Sequence, residues 1–230
     1  MKKKVIVAID GPSSSGKSTI AKLVAKHFNF TYVDSGSIYR AITYIAIKNN
    51  LIKTGDIDVV SLIDLLNNCS ISFSFNSDNQ NIIKLDGVSV ENEIRTFEIS
   101  NNVSLIAEKN EIRKYVLKIQ KDISNNKSVV MDGRDIGSVV FPNADFKFFL
   151  DASIDVRASR RWNELKSIEK DLKFKEVKKD LLKRDKKDVN RKYSPLIRSK
   201  DSILINSNEL EISEVVDIII DIIETEIKIK

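Results

Sequence analysis

A doubly wound α/β fold, with a parallel sheet of five strands flanked by helices, is predicted by three features of the sequence. Five short apolar runs alternate with segments of helical spacing, the rhythm of strand–helix–strand units. The first run feeds a glycine-bearing loop that opens directly into a helix. Between about residues 55 and 100 the rhythm gives way to period-two alternation and a tight turn, so a small antiparallel unit is expected to be inserted there.

The elements follow in order. Val5, Ile6, Val7, Ala8 and Ile9 form a continuous apolar run, the pattern of a strand buried on both faces. Ile20, Leu23, Val24, His27 and Phe28 then recur at helical spacing. Residues 30–33 read as a second strand and residues 37–48 as a helix. Residues 71–75 alternate, and residues 82–85 and 88–90 flank an Asp86-Gly87 turn, which makes a hairpin. Residues 103–123 read as one helix and residues 128–132 as a buried strand ending in an acid. Residues 146–150 are a strand, 152–165 an arginine-rich helix and 174–187 a highly charged helix. Residues 203–205 supply the last strand and 212–223 the closing helix. The whole is expected to be one domain, with a core of residues 1–54, 101–160 and 188–230, the insertion at 55–100 and a short lid at 161–187.

The loop after the first strand reads Gly11-Pro12-Ser13-Ser14-Ser15-Gly16-Lys17-Ser18, which fits the phosphate-loop pattern G-x-x-x-x-G-K-[ST] without a mismatch. Its position between a strand and a helix is the context that confirms the motif. Backbone N–H groups and the positive end of the helix cradle phosphate oxygens. Lys17 is expected at the β- and γ-phosphates and the Ser18 hydroxyl on Mg²⁺. A P-loop NTPase core that binds ATP is therefore expected, with residues 11–19, Thr19 included, on the nucleotide.

Composition narrows the class. The chain has 230 residues, 42% of them hydrophobic and 31% charged, with a formal net charge of +5. No apolar run is long enough to span a bilayer, and the basic start leads into a strand and not a cleavable signal, so a cytoplasmic protein is expected. Cys69 is the sole cysteine, which leaves no intrachain disulfide or cysteine metal cluster. The basic excess lies at residues 2–4 and 166–200 and lacks interleaved aromatics, so nucleic acid is not the expected partner.

The ionisable inventory points to phosphoryl transfer. His27 is the only histidine, so Ser-His or Cys-His catalysis has almost nothing to draw on. Transfer to an acceptor that is already an anion needs positive charge instead of a general base. Arg40, Arg134, Arg157, Arg160, Arg161, Arg184 and Arg191 lie in or beside predicted loops and helix starts, and the guanidinium fork binds phosphate bidentately. Asp132 ends a buried strand, where such folds place an acid near the Mg²⁺ water shell.

Four further motifs carry a resemblance. Residues 34–40 read Asp-Ser-Gly-Ser-Ile-Tyr-Arg and residues 93–96 Glu-Ile-Arg-Thr. Residues 132–142 read Asp-Gly-Arg-Asp-Ile-Gly-Ser-Val-Val-Phe-Pro, and 184–191 Arg-Asp-Lys-Lys-Asp-Val-Asn-Arg. In this order they resemble the bacterial cytidylate kinases, nucleoside-monophosphate kinases, over nearly the whole chain. The resemblance implies transfer of the γ-phosphate of ATP to CMP or dCMP by a monomer, with Mg²⁺ as cofactor. It implies that Ser35, Arg40 and Arg134 hold the CMP phosphate, and that Ser104, Arg113 and Asp135 read cytosine with Arg191 close by. Arg184 and Asp188 would face the sugar, and Arg157 and Arg161 would cover adenine and approach the ATP phosphates. Lys17, Arg134, Arg161, Arg184 and Arg191 would form the catalytic set, and Ser18 with Asp132, the latter through water, would serve the metal. The chemistry is sensible, since a carboxylate accepts from the cytosine 4-amino group and would be repelled by the uracil 4-carbonyl. Ser14-Ser15 stands where the family often has Gly-Ala, and Asn206-Ser207 where Asp-Ser or Asp-Thr is common. A kinase of the same fold for another monophosphate or metabolite is the rival reading. A guanine-nucleotide switch lacks its Asn-Lys-x-Asp motif here.

Overall fold

The computed structural model describes residues 4–53, 55–75, 81–125, 127–166 and 171–229. Five strands, β1 (Ile6–Asp10), β2 (Thr31–Asp34), β8 (Val129–Gly133), β9 (Phe146–Asp151) and β10 (Ile203–Asn206), form one parallel sheet in the order β10-β9-β1-β8-β2. The predicted sheet is therefore present. Side chains of β1 alternate between two cores. Val7 and Ile9 face α1 (Lys17–Phe28) and α8 (Ile212–Ile229), packing with Ile20, Val24, Val215 and Ile219. Ala8 faces the other way, with Val33, Met131, Ile136 and Val140. Both faces are covered, which is why β1 reads as an unbroken apolar run.

A third core lies beyond β2. Here α2 (Ser35–Lys48), α3 (Val59–Asn67), α4 (Phe97–Ala107) and α5 (Asn110–Ser124) bury Ile38, Ile42, Leu62, Leu66, Ile106, Ile112 and Val116 together with Ile83. Ile83 belongs to the antiparallel sheet β5 (Ile71–Phe75), β6 (Asn81–Leu85) and β7 (Val88–Ser89), and a two-stranded ribbon, β3 (Ile52–Lys53) and β4 (Asp56–Ile57), precedes α3. The predicted hairpin around Asp86-Gly87 is present, and both turn residues adopt positive φ. α6 (Ile154–Leu165) and α7 (Phe174–Asn190) pair through Ala158, Trp162, Phe174, Val177 and Leu181. Residues 76–80 of the insertion and 167–170 of the expected lid lie outside the described residues.

One predicted element is corrected. Residues 103–123 are not a single helix, because the chain breaks between α4 and α5, where Lys109 has an extended backbone. Val103, Ile106, Ile112 and Val116 all face the same core, so the apolar spacing runs on through the break. Arg113 Nη1 donates to the Ala107 carbonyl at 3.1 Å, supplying a partner at the C-terminal end of α4.

Candidate active site

The C-terminal ends of β1, β2 and β8 converge on one cleft of about 330 Å³, the place where open parallel sheets bind ligands. Gly11 has φ +150°, and a Cβ there would lie 2.1 Å from the Leu150 carbonyl oxygen, so only glycine fits as the chain leaves β1. Gly16 takes the left-handed conformation and caps α1. Lys17 is buried, and its Nζ donates to the Pro12 carbonyl at 2.6 Å and to Ser15 Oγ at 3.3 Å. Burial and then the neighbouring Arg134 push the Lys17 amine well below its ordinary value.

β8 brings Asp132 under the loop. Its Oδ2 accepts from Ser18 Oγ and its Oδ1 from Tyr32 OH, both at 2.9 Å, and Ser35 Oγ donates to its backbone carbonyl at 2.7 Å. Burial, reinforced by Asp34, lifts the Asp132 carboxyl to about 6. A hydroxyl and a carboxylate side by side at the phosphate loop are oxygen donors that fit Mg²⁺. Among the described residues no group of three or more His, Cys, Asp or Glu side chains could hold a metal alone. Such a donor set suits an ion that arrives largely hydrated and is shared with substrate phosphates.

After Gly133 the chain turns sharply. A Cβ on Gly133 would meet Ser35 Oγ at 2.6 Å and Ile136 at 2.7 Å, so bulk here would disturb the turn. Asp135 follows, buried, and pairs with Arg113, whose guanidinium lies 5.5 Å from the Tyr39 ring centroid. Arg191 Nη2 stands 3.6 Å from the other Asp135 oxygen, and Ser104 lines the same recess. Across the cleft, Arg134 Nε donates to Asp188 Oδ2 at 2.9 Å and its Nη2 to Ser13 Oγ at 2.7 Å.

The phosphate side has excess positive charge. Arg40, Arg134, Arg161 and Arg184 all line the cleft, and the Nε atoms of Arg40 and Arg184 are buried without a hydrogen-bond partner. Burial and then Arg134 and Arg40 push Arg184 down to about 9, and burial pushes Arg40 down as well. Buried cations held beside other guanidinium groups, as Arg40 and Arg184 are, are chemically suited to a polyanion.

The structure gathers Ser13, Ser14, Ser15, Gly16, Lys17, Ser18, Thr19, Ser35, Arg40, Ser104, Arg113, Asp132, Arg134, Asp135, Arg161, Arg184, Asp188 and Arg191 around this cleft. Arg157 is placed differently. It is buried behind the loop, donating from Nε to the Ala152 carbonyl at 2.9 Å and from Nη1 to the Ser13 carbonyl at 3.2 Å, and it pairs with Asp185. Tyr39 and Arg95 also line the cleft. Both lay inside the motifs that carried the resemblance, yet neither was singled out.

A family model described as cytidylate kinase matches residues 7–225. The chain belongs to the cytidylate kinase family. A cytidylate kinase of Clostridium tetani is 48% identical, covering 97% of this chain and 96% of that protein. A cytidylate kinase of Flavobacterium johnsoniae is 41% identical over 99% of each. Among solved structures, an uncharacterized protein from Eubacterium ventriosum matches 97% of this chain and 99% of its own, with a TM-score of 0.54 and 16% identity. That likeness extends to the fold. Among the described residues no helix is long and apolar enough to cross a membrane.

Proposed function

We propose that the protein transfers the γ-phosphate of ATP to CMP or dCMP, giving ADP and the nucleoside diphosphate. Within this family, the observation that carries the reading is the Arg113–Asp135–Arg191 constellation beside an arginine-rich gap that ends at the phosphate loop. Asp135 accepts from the cytosine 4-amino group, while Arg113 and Ser104 donate to N3 and O2. Uracil would set a carbonyl against the Asp135 carboxylate, and an unmatched buried polar contact costs about 1–3 kcal/mol. Arg40, Ser35 and Arg134 hold the acceptor phosphate, and Arg184 and Asp188 flank the sugar. Arg157 and Arg161 serve the donor side.

In the reaction an oxygen of the CMP phosphate attacks the γ-phosphorus. The bond from that phosphorus to the β–γ bridging oxygen breaks, and the bridging oxygen leaves on ADP. The acceptor is already anionic, so no base is required, and the work falls to charge and alignment. Lys17, Arg134, Arg161, Arg184 and Arg191 line the same cleft, which supports their assignment to the negative charge that spreads in the transition state. Ser18 and Asp132 would hold Mg²⁺, which neutralises the triphosphate. The cleft is complete within one chain, which supports a protein acting as a monomer, and residues 161–187 are the segment we assign to closure over the nucleotides. Coupled ADP formation with a panel of CMP, dCMP, UMP, AMP and GMP tests the assignment. Turnover confined to the cytidine pair with weaker UMP use is expected, and preferred use of AMP or of a non-nucleotide acceptor would overturn it.

A further inference from the structure

The geometry points to Asp10 as a positioning residue for cytosine selection: it caps the turn that carries Asp135, and thereby frees the Asp135 carboxylate to face the substrate. The inference rests on the reading of Asp135 as the base-contacting group. It concerns a residue that touches neither nucleotide in that reading.

Residues 136–140 form a single wide helical turn, in which Val140 N–H donates to the Asp135 carbonyl at 3.1 Å and Phe141 N–H to the Ile136 carbonyl at 2.7 Å. The first N–H groups of any helical turn have no partner inside it. An aspartate placed just before the turn ordinarily supplies one with its own side chain. Asp135 occupies that place, yet its side chain makes no capping bond and is turned to Arg113 and Arg191. The capping is done by another strand. Asp10, buried at the end of β1, accepts from Ile136 N–H at 2.8 Å with Oδ1 and from Gly137 N–H at 2.7 Å with Oδ2. The far end of the turn is tied by Lys147, whose buried Nζ donates to the Pro142 carbonyl and pairs with Asp201.

Two further facts favour a functional role over a purely structural one. Burial lifts the Asp10 carboxyl to about 6, so the ionised form is kept in the core against its desolvation. Asp10 also directly precedes Gly11, so the residue whose side chain caps the base-reading turn is joined through its backbone to the phosphate loop.

Asp10→Asn tests this directly. It keeps the volume and one acceptor oxygen but sets an amide NH₂ against the second backbone N–H. Asp135 then becomes the nearest anionic cap for its own turn and withdraws from Arg113. By calorimetry the Kd for CMP is expected to rise about tenfold, and the preference for CMP over UMP in turnover to fall in step. The Kd for a non-hydrolysable ATP analogue should stay within about twofold, a split that a general loss of packing would not produce. Gly137→Ala is the second variant. Its Cβ would crowd the Lys147 stem at 3.3 Å and come into van der Waals contact with Asp10 Oδ2 at 3.4 Å, so a small displacement where the turn meets Asp10 and Lys147 is expected. A smaller effect in the same direction is expected, and it decides the matter if Asp10→Asn does not fold. Equal weakening of both nucleotides would show that Asp10 holds the site as a whole and does not act on cytosine selection, and would overturn the proposal, as would unchanged CMP affinity in both variants. Wild-type protein that binds no CMP would instead overturn the reading on which the inference rests.

Discussion

Arg184→Met should make the ligand-free protein more stable and the enzyme far less active. Arg184 enters the cleft from α7 with its Nε buried and unpartnered, and it faces Arg134, Arg40 and Arg161. Holding it charged there lowers its pKa from the ordinary arginine value to about 9. Taken at face value that depression corresponds to roughly 5 kcal/mol. The cleft is open to water and the side chain can relax, so the strain that folding bears is nearer ~1–2 kcal/mol. Methionine keeps the unbranched stem and removes the charge. For a domain of this size each ~1 kcal/mol moves Tm by about 2–4 °C, so a rise of roughly 2–8 °C is expected in differential scanning calorimetry without nucleotides. Saturating ligands should reverse the order, because a ligand at about 100 times its Kd adds ~2.7 kcal/mol to a protein that binds it fully and the variant will bind less tightly. Turnover should drop by about two powers of ten or more. A variant that melts below wild type without ligands, or that keeps wild-type turnover, would refute the reasoning.

Two other outcomes are expected. Lys17→Ala should lower kcat by about 10³-fold or more while Tm stays near wild type, because burial and Arg134 already strain the Lys17 charge in the folded state; steady-state kinetics beside a melting curve checks this. The pH dependence of stability should carry a signature of Asp10, whose carboxyl is raised to about 6. Below about pH 4 it is protonated in both folded and unfolded chains, and between about pH 4 and 6 the folded chain binds the extra proton. Its contribution therefore declines as pH rises through that window and is flat above it. Urea unfolding of wild type and Asp10→Asn should show wild type losing ground to the variant by roughly 2 kcal/mol from pH 4.5 to 7, and a constant difference would exclude it.

The sheet and the phosphate loop were legible in the sequence because their signals are local. A continuous apolar run is what a strand covered on both faces requires, and the glycines at 11 and 16 stand where backbone sterics admit little else. The break between α4 and α5 was hidden because both helices turn the same apolar stripe to one core. α3 left a trace that went unread, Asp58 capping Ser61 N–H ahead of Leu62 and Leu66. The ribbon β3–β4, two residues per strand, is too short for any period to show. At the site, the motifs delivered the residues that share the cleft but not their connections. Asp10 fell between the first strand and the phosphate loop and drew no reading, because its partners are 126 and 127 positions away. Arg157 was expected beside adenine and the ATP phosphates, and its pairing with Asp185, 28 residues on, left no trace in the sequence.

The basic groups of the cleft divide by partner, and in the function we propose the division follows the two tasks of the site. Arg113 and Arg134 are buried, which works against their charge, yet carboxylates at Asp135 and Asp188 hold them above their ordinary value. Such groups lose little when the cleft is empty and keep a fixed direction, which base reading and loop alignment require. Lys17, Arg40 and Arg184 are pushed below theirs, chiefly by burial and with other cations close by. They gain most when phosphates arrive, and they gain further as charge builds on the transferring group. Arg191 sits at the seam: it is pushed down by burial and by Arg113, while Asp135 and Asp188 act against that shift. Were all the cations paired in the empty cleft, ligand binding would have to break those pairs and would lose the advantage. Were all unpaired, nothing would orient the base before the phosphates drew the side chains in. On the assignment we propose, the mixture lets the oriented set select cytidine while the strained set gains its stabilisation only once both phosphate groups are present, which would tie the release of electrostatic strain to the complex that reacts.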